Sequence, residues 1–344
     1  MRVLLVRPTA SGGLAAHVDQ EHALLAAAGR EVSEAPVRIR ERPDPVEDLR
    51  TVRTLRRMLR TSDAPLALHA HGLRAGALAA AAMPGHRRHR LVVTLHNRTV
   101  GSPAVRAVGA VLLRFLVRGA DTVLGVSPDL ADAARRAGAR DVRHAIIPAP
   151  VSAPAPAPRT VPAPPSSETG HAGLDVLVIA RLAPQKGLHD LLDAAGMLDR
   201  SRAHRIRIAG DGPLHDELER RILEERLPVE LLGRRHDIPE LLTSCDLVVS
   251  AAHWEGQPVA LQEALRAGRA IVATDAGGTR WVTGEAAHLV PVGDPAALAE
   301  AIAALHDPAA RRGAEEASRR RALDLPTPQD LLAQLDEVLA HGSP

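Results

Sequence analysis

The 344-residue chain is poor in several residue types. Its one cysteine, Cys245, excludes an internal disulfide framework and a cysteine-rich zinc site. One phenylalanine, two tryptophans and no tyrosine are too few for the stacking platforms that read single-stranded nucleic acid. Lysine is nearly missing, since 42 of the 43 basic residues are arginine and Lys186 stands alone. That bias suggests a GC-rich coding sequence, and it singles out the surviving lysine. Long apolar runs are lacking too. No stretch reaches the ~18 apolar residues of a membrane-spanning helix. The best candidate, Val108 to Val117, is interrupted by Arg114. The run Val3–Val6 is too short for the core of a secretory leader. These absences predict a cytoplasmic protein, peripheral at most at the inner face of the membrane.

What is present is an ordinary globular composition, 45% hydrophobic and 24% charged. The length suits two domains. Short Val/Ile/Leu runs alternate with helical patterns. Strands are expected at 3–6, 32–37, 66–69, 91–95, 122–126 and 144–147 in the first half. The second half repeats the rhythm at 176–180, 205–209, 229–232, 247–250, 270–274 and 288–292. Continuous apolar runs, each followed by a helix, indicate parallel strands covered on both faces. Two sets of six predict two doubly wound α/β domains.

A proline-rich stretch at about 148–167 separates the sets, because proline removes backbone donors and resists both helix and central strand. The expected domains are 1–165 and 168–325, with a C-terminal helix in 326–344 that packs back on the first domain. Charge divides at the same border. Residues 1–165 hold 24 arginines against 13 acidic residues, a net of +11, and residues 166–344 carry −9. The formal +2 therefore conceals a basic half joined to an acidic one. A basic half suits an anionic partner such as a phosphorylated substrate or anionic lipid. No nucleic-acid motif accompanies the charge.

Five constellations stand out. A predicted strand ends in Ala180-Arg181 and leads through Lys186-Gly187 into a helix, placing two cations at the carboxyl end of a strand, where open α/β sheets bind ligands. Such a pair suits a diphosphate, although an isolated pair is more often a solvated basic loop. Second, Glu255-Gly256-Gln257-Pro258-Val259 precedes a helix that contains Glu263 and ends near Gly268. Pro258 fits its first position, and its free N–H groups face an anion. Third, Gly12-Gly13 follows the first strand without the G-x-G-x-x-G spacing of dinucleotide sites. Fourth, His96 ends a strand, with His69 and His71 upstream. It suits a role at a reacting hydroxyl. A metal cluster of these three histidines is conceivable, but no nearby carboxylate pattern supports it. Fifth, residues 48–60 form a basic amphipathic helix, which could lie on anionic lipid or face the core.

Taken in order, these motifs resemble the family-4 glycosyltransferases of the GT-B fold. The resemblance rests on Arg181-Leu-Ala-Pro-Gln-Lys186-Gly187, Ala209-Gly210-Asp-Gly-Pro213, Glu255-Gly-Gln-Pro through Glu263-Ala, and Thr274-Asp-Ala-Gly-Gly278. It covers about 174–305 nearly continuously, with a weaker collinear match at Gly12-Gly13, His69-Ala-His71-Gly72, His96-Asn97 and Val126-Ser127. It implies two Rossmann-like domains whose parallel sheets face each other across a cleft. The implied reaction moves a sugar, with retention, from a nucleotide-sugar to an acceptor hydroxyl. That acceptor could be a glycolipid, a polysaccharide precursor or a small metabolite. The catalytic residues by resemblance are Arg181 and Lys186 on the leaving diphosphate, Glu255 on the donor sugar and His96 at the reacting centre. Glu263 would hold the ribose. Gly12, Gly13, Gly210 and Gly233 would approach the donor, as would Gly256, Gln257, Pro258 and Val259. No D-x-D occurs, so no metal and no cofactor is expected, with the nucleotide-sugar as co-substrate. The expected acceptor is anionic or membrane-associated, with peripheral contact to an anionic membrane and none to nucleic acid. A nucleotide-sugar epimerase of the same fold, or a non-catalytic subunit that binds nucleotide-sugar, are the alternative readings.

Overall fold

The computed structural model describes residues 2–9, 13–40, 43–85, 88–149, 173–202 and 204–340. They form two compact units, Met1–Pro148 with Pro326–Pro344, and Ala149–Leu325. The proline-rich stretch from residue 150 and the expected donor residue Gly12 lie outside the described residues.

The first unit runs β1 (Arg2–Val6), α1 (Gly13–Ala27), β2 (Glu31–Glu34), α2 (Pro45–Thr61), β3 (Leu66–His71) and α3 (Leu73–Ala82). It continues with β4 (Arg90–Leu95), α4 (Pro103–Gly119), β5 (Thr122–Gly125), α5 (Pro128–Arg136) and β6 (Val142–His144). Its sheet is parallel, in the order β2-β1-β3-β4-β5-β6. The second unit holds β7 (Asp175–Ile179), α6 (Leu188–Met197), β8 (Arg205–Ala209), α7 (His215–Glu225), β9 (Val229–Gly233) and α8 (Ile238–Ser244). It then adds β10 (Leu247–Ser250), α9 (Val259–Arg266), β11 (Ala270–Thr274), α10 (Thr279–Thr283), β12 (His288–Val290), α11 (Pro295–Ala304) and α12 (Pro308–Ala322). Its parallel order is β12-β11-β10-β7-β8-β9. The last helix, α13 (Pro328–Leu339), belongs to the first unit.

Both units are thus doubly wound, with β3 and β11 buried along their whole length. In each sheet the winding reverses beside the first strand, between β1 and β3 and between β7 and β10. Those two crevices are where this architecture receives ligands. Many of the chain's prolines have a plain use. Six helices (α2, α4, α5, α11, α12 and α13) open on a proline, whose missing N–H has no partner there in any case.

Helix α13 fastens to the first unit through specific contacts. Arg30 donates twice to Asp336, at 3.1 and 2.9 Å, and Arg90 Nε donates to Val338 O at 2.6 Å. Leu331, Leu335, Val338 and Leu339 are buried beneath it. This helix also moves the last strand. Sheet pairing was expected at 144–147, but β6 spans Val142–His144. Gln334 takes the Ile146 N–H and donates to the His144 carbonyl, which removes those groups from a ladder.

The basic helix of residues 48–60 is α2, and it turns Thr51, Leu55 and Leu59 inward. The core-facing alternative therefore describes it better than the lipid-facing one. An exposed apolar stripe occurs instead on α4, where Val105, Val108, Val111 and Phe115 are all exposed. At 100° per residue they lie within an arc of about 120°.

Candidate active site

The two expected cations follow β7, at the reversal point of the second sheet. The chain leaves the strand through Arg181 and makes one 3-10 turn, Pro184–Lys186. It then enters α6 through Gly187, whose φ is +59°. A Cβ at Gly187 would stand 1.9 Å from the Ala251 carbonyl oxygen, so only glycine allows the β7 and β10 exit loops to touch here. The loops are also stitched by hydrogen bonds. His253 N–H donates to Gln185 O at 2.9 Å, and His253 Nε2 donates to Asp190 Oδ2 at 2.8 Å.

This seam brings Lys186 to Glu255, with Nζ donating to Oε1 at 2.5 Å. Both side chains are mostly buried. An ammonium has three protons to donate, so two remain for a ligand. Arg181 is exposed and makes no side-chain hydrogen bond or ion pair among the described residues. The loop after β8 closes on the same segment. Gly210 N–H donates to Gly233 O at 2.8 Å, and Leu182 N–H to Asp211 O at 2.9 Å.

Glu255 is fixed through its backbone as well, since Gly278 N–H donates to its carbonyl at 2.9 Å. Gly256 and Gln257 lead to Pro258, which caps α9 and is not its first residue as expected. The helix starts at Val259 because Pro258 keeps an extended ψ of 106° while its carbonyl takes the Leu261 and Gln262 N–H groups. Leu261, Ala264 and Leu265 are buried on one face. Glu263 is half-buried, and that burial raises its carboxyl pKa against the opposing pull of Arg266. Gln262, not singled out from the sequence, is fully buried and accepts the Ala149 N–H at 2.9 Å. Arg266 holds the Ala149 carbonyl at 3.1 Å.

In the first unit the histidines cluster at the reversal point between β1 and β3. His69 and His71 share one face of β3, being two residues apart, and His96 follows β4. His71 Nδ1 and His96 Nε2 lie 3.2 Å apart, a hydrogen bond whose donor is set by the tautomers of the two rings. Burial holds the His96 and His71 imidazoles well below their ordinary pKa, so both are neutral. The sequence offered no carboxylate here, but the structure supplies one. Glu21 of α1 accepts from His69 Nδ1 at 2.6 Å, while His69 Nε2 accepts from Thr94 Oγ1 at 2.7 Å. His17 lies one turn before Glu21 on the same face of α1. The spacing His17-x3-Glu21 was the available signal, and it passes unnoticed because such pairs normally face solvent. Gly13, the other expected glycine, is the first residue of α1.

Family models divide the chain in the same way. One described as "Glycosyl transferase 4-like domain" matches residues 1–150, and one described as "Glycosyl transferases group 1" matches residues 173–307. The chain is 37% identical over 105 residues to the N,N'-diacetylbacillosaminyl-diphospho-undecaprenol alpha-1,3-N-acetylgalactosaminyltransferase of Campylobacter jejuni. That stretch is 30% of this chain and 27% of the relative. It is 30% identical over 146 residues to the alpha-D-kanosaminyltransferase of Streptomyces kanamyceticus, covering 39% of this chain and 38% of that one. The matched stretches are therefore well under half the length of these curated relatives. Among solved structures, Anabaena HepE in complex with UDP superposes with a TM-score of 0.78 at 21% identity, covering 98% of this chain and 99% of that one. With both family models in place and the same doubly wound pair of units, the chain belongs to the family-4 glycosyltransferases of the GT-B fold.

Proposed function

We propose that this chain transfers a sugar from a nucleoside-diphosphate sugar to an acceptor hydroxyl, with retention at the anomeric carbon. The observation that carries the reading is the pair of cations at the β7–β10 crevice, Arg181 unpaired among the described residues and Lys186 with protons to spare. Breaking the anomeric bond makes the carbon oxocarbenium-like and the departing diphosphate more anionic. Fixed cations placed on that diphosphate stabilise the charge as it grows. The first N–H groups of α9, those of Val259 and Ala260, add a positive dipole end. In this reading Arg181 and Lys186 do the work that a D-x-D motif and its metal do elsewhere, so the diphosphate needs no metal ion.

Glu255 would be poorly placed beside a phosphate, but Lys186 compensates its charge and leaves its second oxygen for sugar hydroxyls. Glu263 is assigned to the ribose hydroxyls. Gly210, Gly233, Gly256 and Gln257 would line the donor with backbone. His96, neutral through burial, is assigned to the reacting hydroxyl as a hydrogen-bond partner. HepE is described bound to UDP and to UDP-glucose, which favours a uridine donor here. The test is a panel of UDP-, GDP- and ADP-sugars with lipid-linked and soluble acceptors. It reads nucleoside diphosphate release and, by NMR, the product's anomeric configuration. An inverted product overturns retention. No release from folded protein across the panel overturns the transfer reading.

For the acceptor we assign an anionic, membrane-associated molecule. The Campylobacter relative is named for a diphospho-undecaprenol substrate. Val108 and Val111 on α4 are 60% and 64% exposed, with Arg106, Arg114 and Arg118 on the same helix. No helix among the described residues is long and apolar enough to cross a membrane, and the contact assigned to α4 is a peripheral one. Anionic vesicles should sediment the chain, and salt should weaken the binding. The variant Val108→Glu/Val111→Glu should bind at least about tenfold more weakly. It should keep its turnover on a water-soluble acceptor. Equal vesicle binding by the variant would remove α4 from the reading.

A further inference from the structure

The inward face of α1 carries charge where a sheet-packed helix normally carries leucine. Glu21 is 0% exposed, His71 0% and His17 5%. Glu21 Oε1 is satisfied by His69, but Glu21 Oε2, His71 Nε2 and His17 Nδ1 have no hydrogen-bond partner among the described residues. Buried polar atoms are rarely left so, and here three of them occur together.

Two of these atoms approach each other directly, Glu21 Oε2 and His71 Nε2 at 3.5 Å, and the other ring nitrogen of His17, Nε2, lies 4.0 Å from Glu21 Oε2. One ligand atom from each of the three residues lies within 4.8 Å of the others. A tetrahedral cation with bonds of ~2.0–2.1 Å holds its ligand atoms ~3.4 Å apart, so the Glu21–His71 spacing already fits and His17 would have to move inward to complete the set. We propose that His17, Glu21 and His71 bind a divalent cation of the zinc class, with a fourth position open to water.

The chemistry of the donors fits. Two imidazoles and one carboxylate suit zinc, cobalt or nickel, and the absence of thiolate turns away softer ions. Burial lowers the His17 pKa to about 4 and that of His71 well below the usual value, so both rings offer lone pairs at neutral pH. The surroundings hold the ligands in place. His69 stands between Glu21 Oε1 and Thr94 and orients the carboxylate. His71 is held by His96 through its other nitrogen. Partners of this kind fix the tautomer of a ligand imidazole. A cation on His71 Nε2 leaves the proton on Nδ1, which then donates to His96 Nε2. His96 in turn keeps its own proton on Nδ1. The cation thereby decides which nitrogen of His96 can donate. None of this depends on sugar transfer.

The test uses the full chain, stripped by dialysis against a chelator and titrated with Co2+ and then Zn2+. One equivalent of Co2+ should give the intense visible bands of a four- or five-coordinate site, and Zn2+ should displace it. Zn2+ should also raise the thermal midpoint. Glu21→Gln should weaken Zn2+ affinity by at least ~100-fold. His306→Ala, which breaks the separate His204–His306 pair, should leave it unchanged. If Glu21→Gln does not fold, X-ray absorption of the Co2+-loaded wild-type chain serves instead and should report two imidazoles among N/O ligands. A wild-type chain that takes up no stoichiometric cation overturns the proposal and leaves the cluster held by protons alone. So does a site abolished by His306→Ala, or an absorption spectrum with no imidazole.

Discussion

Replacing Lys186 with alanine should lower turnover by about 10²–10³-fold while the chain stays folded, the loss typical when one fixed group is removed from a developing anion. The substitution deletes two spare donors and leaves Glu255 without its counter-charge inside a mostly buried pair. The second effect can be separated from the first. Lys186→Ala/Glu255→Gln removes the stranded carboxylate, and any recovery of thermal stability relative to Lys186→Ala measures it. Lys186→Arg is the sharper comparison, because arginine fills every other basic position. A guanidinium is planar and bulkier than an ammonium, and it must fit beside a loop already in contact with the β10 exit. Turnover should therefore fall for Lys186→Arg too, by less than for alanine. Wild-type turnover in Lys186→Ala, with circular dichroism showing a native fold, would end the assigned role.

Gly187→Ala should destabilise the second unit by more than ~3 kcal/mol and abolish turnover with it. Two causes add. Alanine at a φ of +59° costs roughly 1–2 kcal/mol by itself. The new methyl also meets the Ala251 carbonyl at 1.9 Å, and a backbone oxygen cannot swing aside as a flexible side chain does. The two exit loops would have to part, breaking the His253–Gln185 hydrogen bond and moving Lys186 away from Glu255. Gly293→Ala is the matched control, because its φ is +75° and nothing lies within 4 Å of its Cβ position. It should show the conformational cost alone. Denaturant midpoints for the two variants, measured together, check the difference. If they agree, the close approach carries no energy.

Much of this architecture was legible because its signals are local. Expected and observed bounds coincide for 205–209, 247–250 and 270–274, where a short Val/Ile/Leu-bearing segment, alternating with arginine in the first case, sits between helices. Arg181 and Lys186 could be chosen because they lie between a strand end and a helix start, whereas Glu255 and Glu263 were singled out through the family resemblance, Glu263 standing inside α9. What escaped was long-range. The Lys186–Glu255 bond joins residues 69 apart in sequence, and Glu21 reaches His69 across 48. No periodicity reports such distances. The strand expected at 144–147 shortened because Gln334, nearly two hundred residues onward, takes its hydrogen bonds. The lipid-facing expectation fell on α2, whose arginines are conspicuous, while the longer exposed apolar stripe, Val105, Val108, Val111 and Phe115, is on α4. Hydrophobic spacing is the same for a stripe that meets a core and one that meets solvent.

Helix α13 has a further consequence, for the order of events during synthesis. The chain enters the first unit, leaves it at Pro148, completes the second, and only then returns at Pro326. In topological terms the second unit is an insertion. A ribosome working from the N-terminus releases all of the second unit before the helix that covers Arg30 and Arg90. The second unit can therefore close while the first still exposes the surface that α13 will occupy, the reverse of the usual N-terminal-first sequence. The ion pairs of Arg30 with Asp336 and of Arg143 with Glu337 can form only after the second unit has been made.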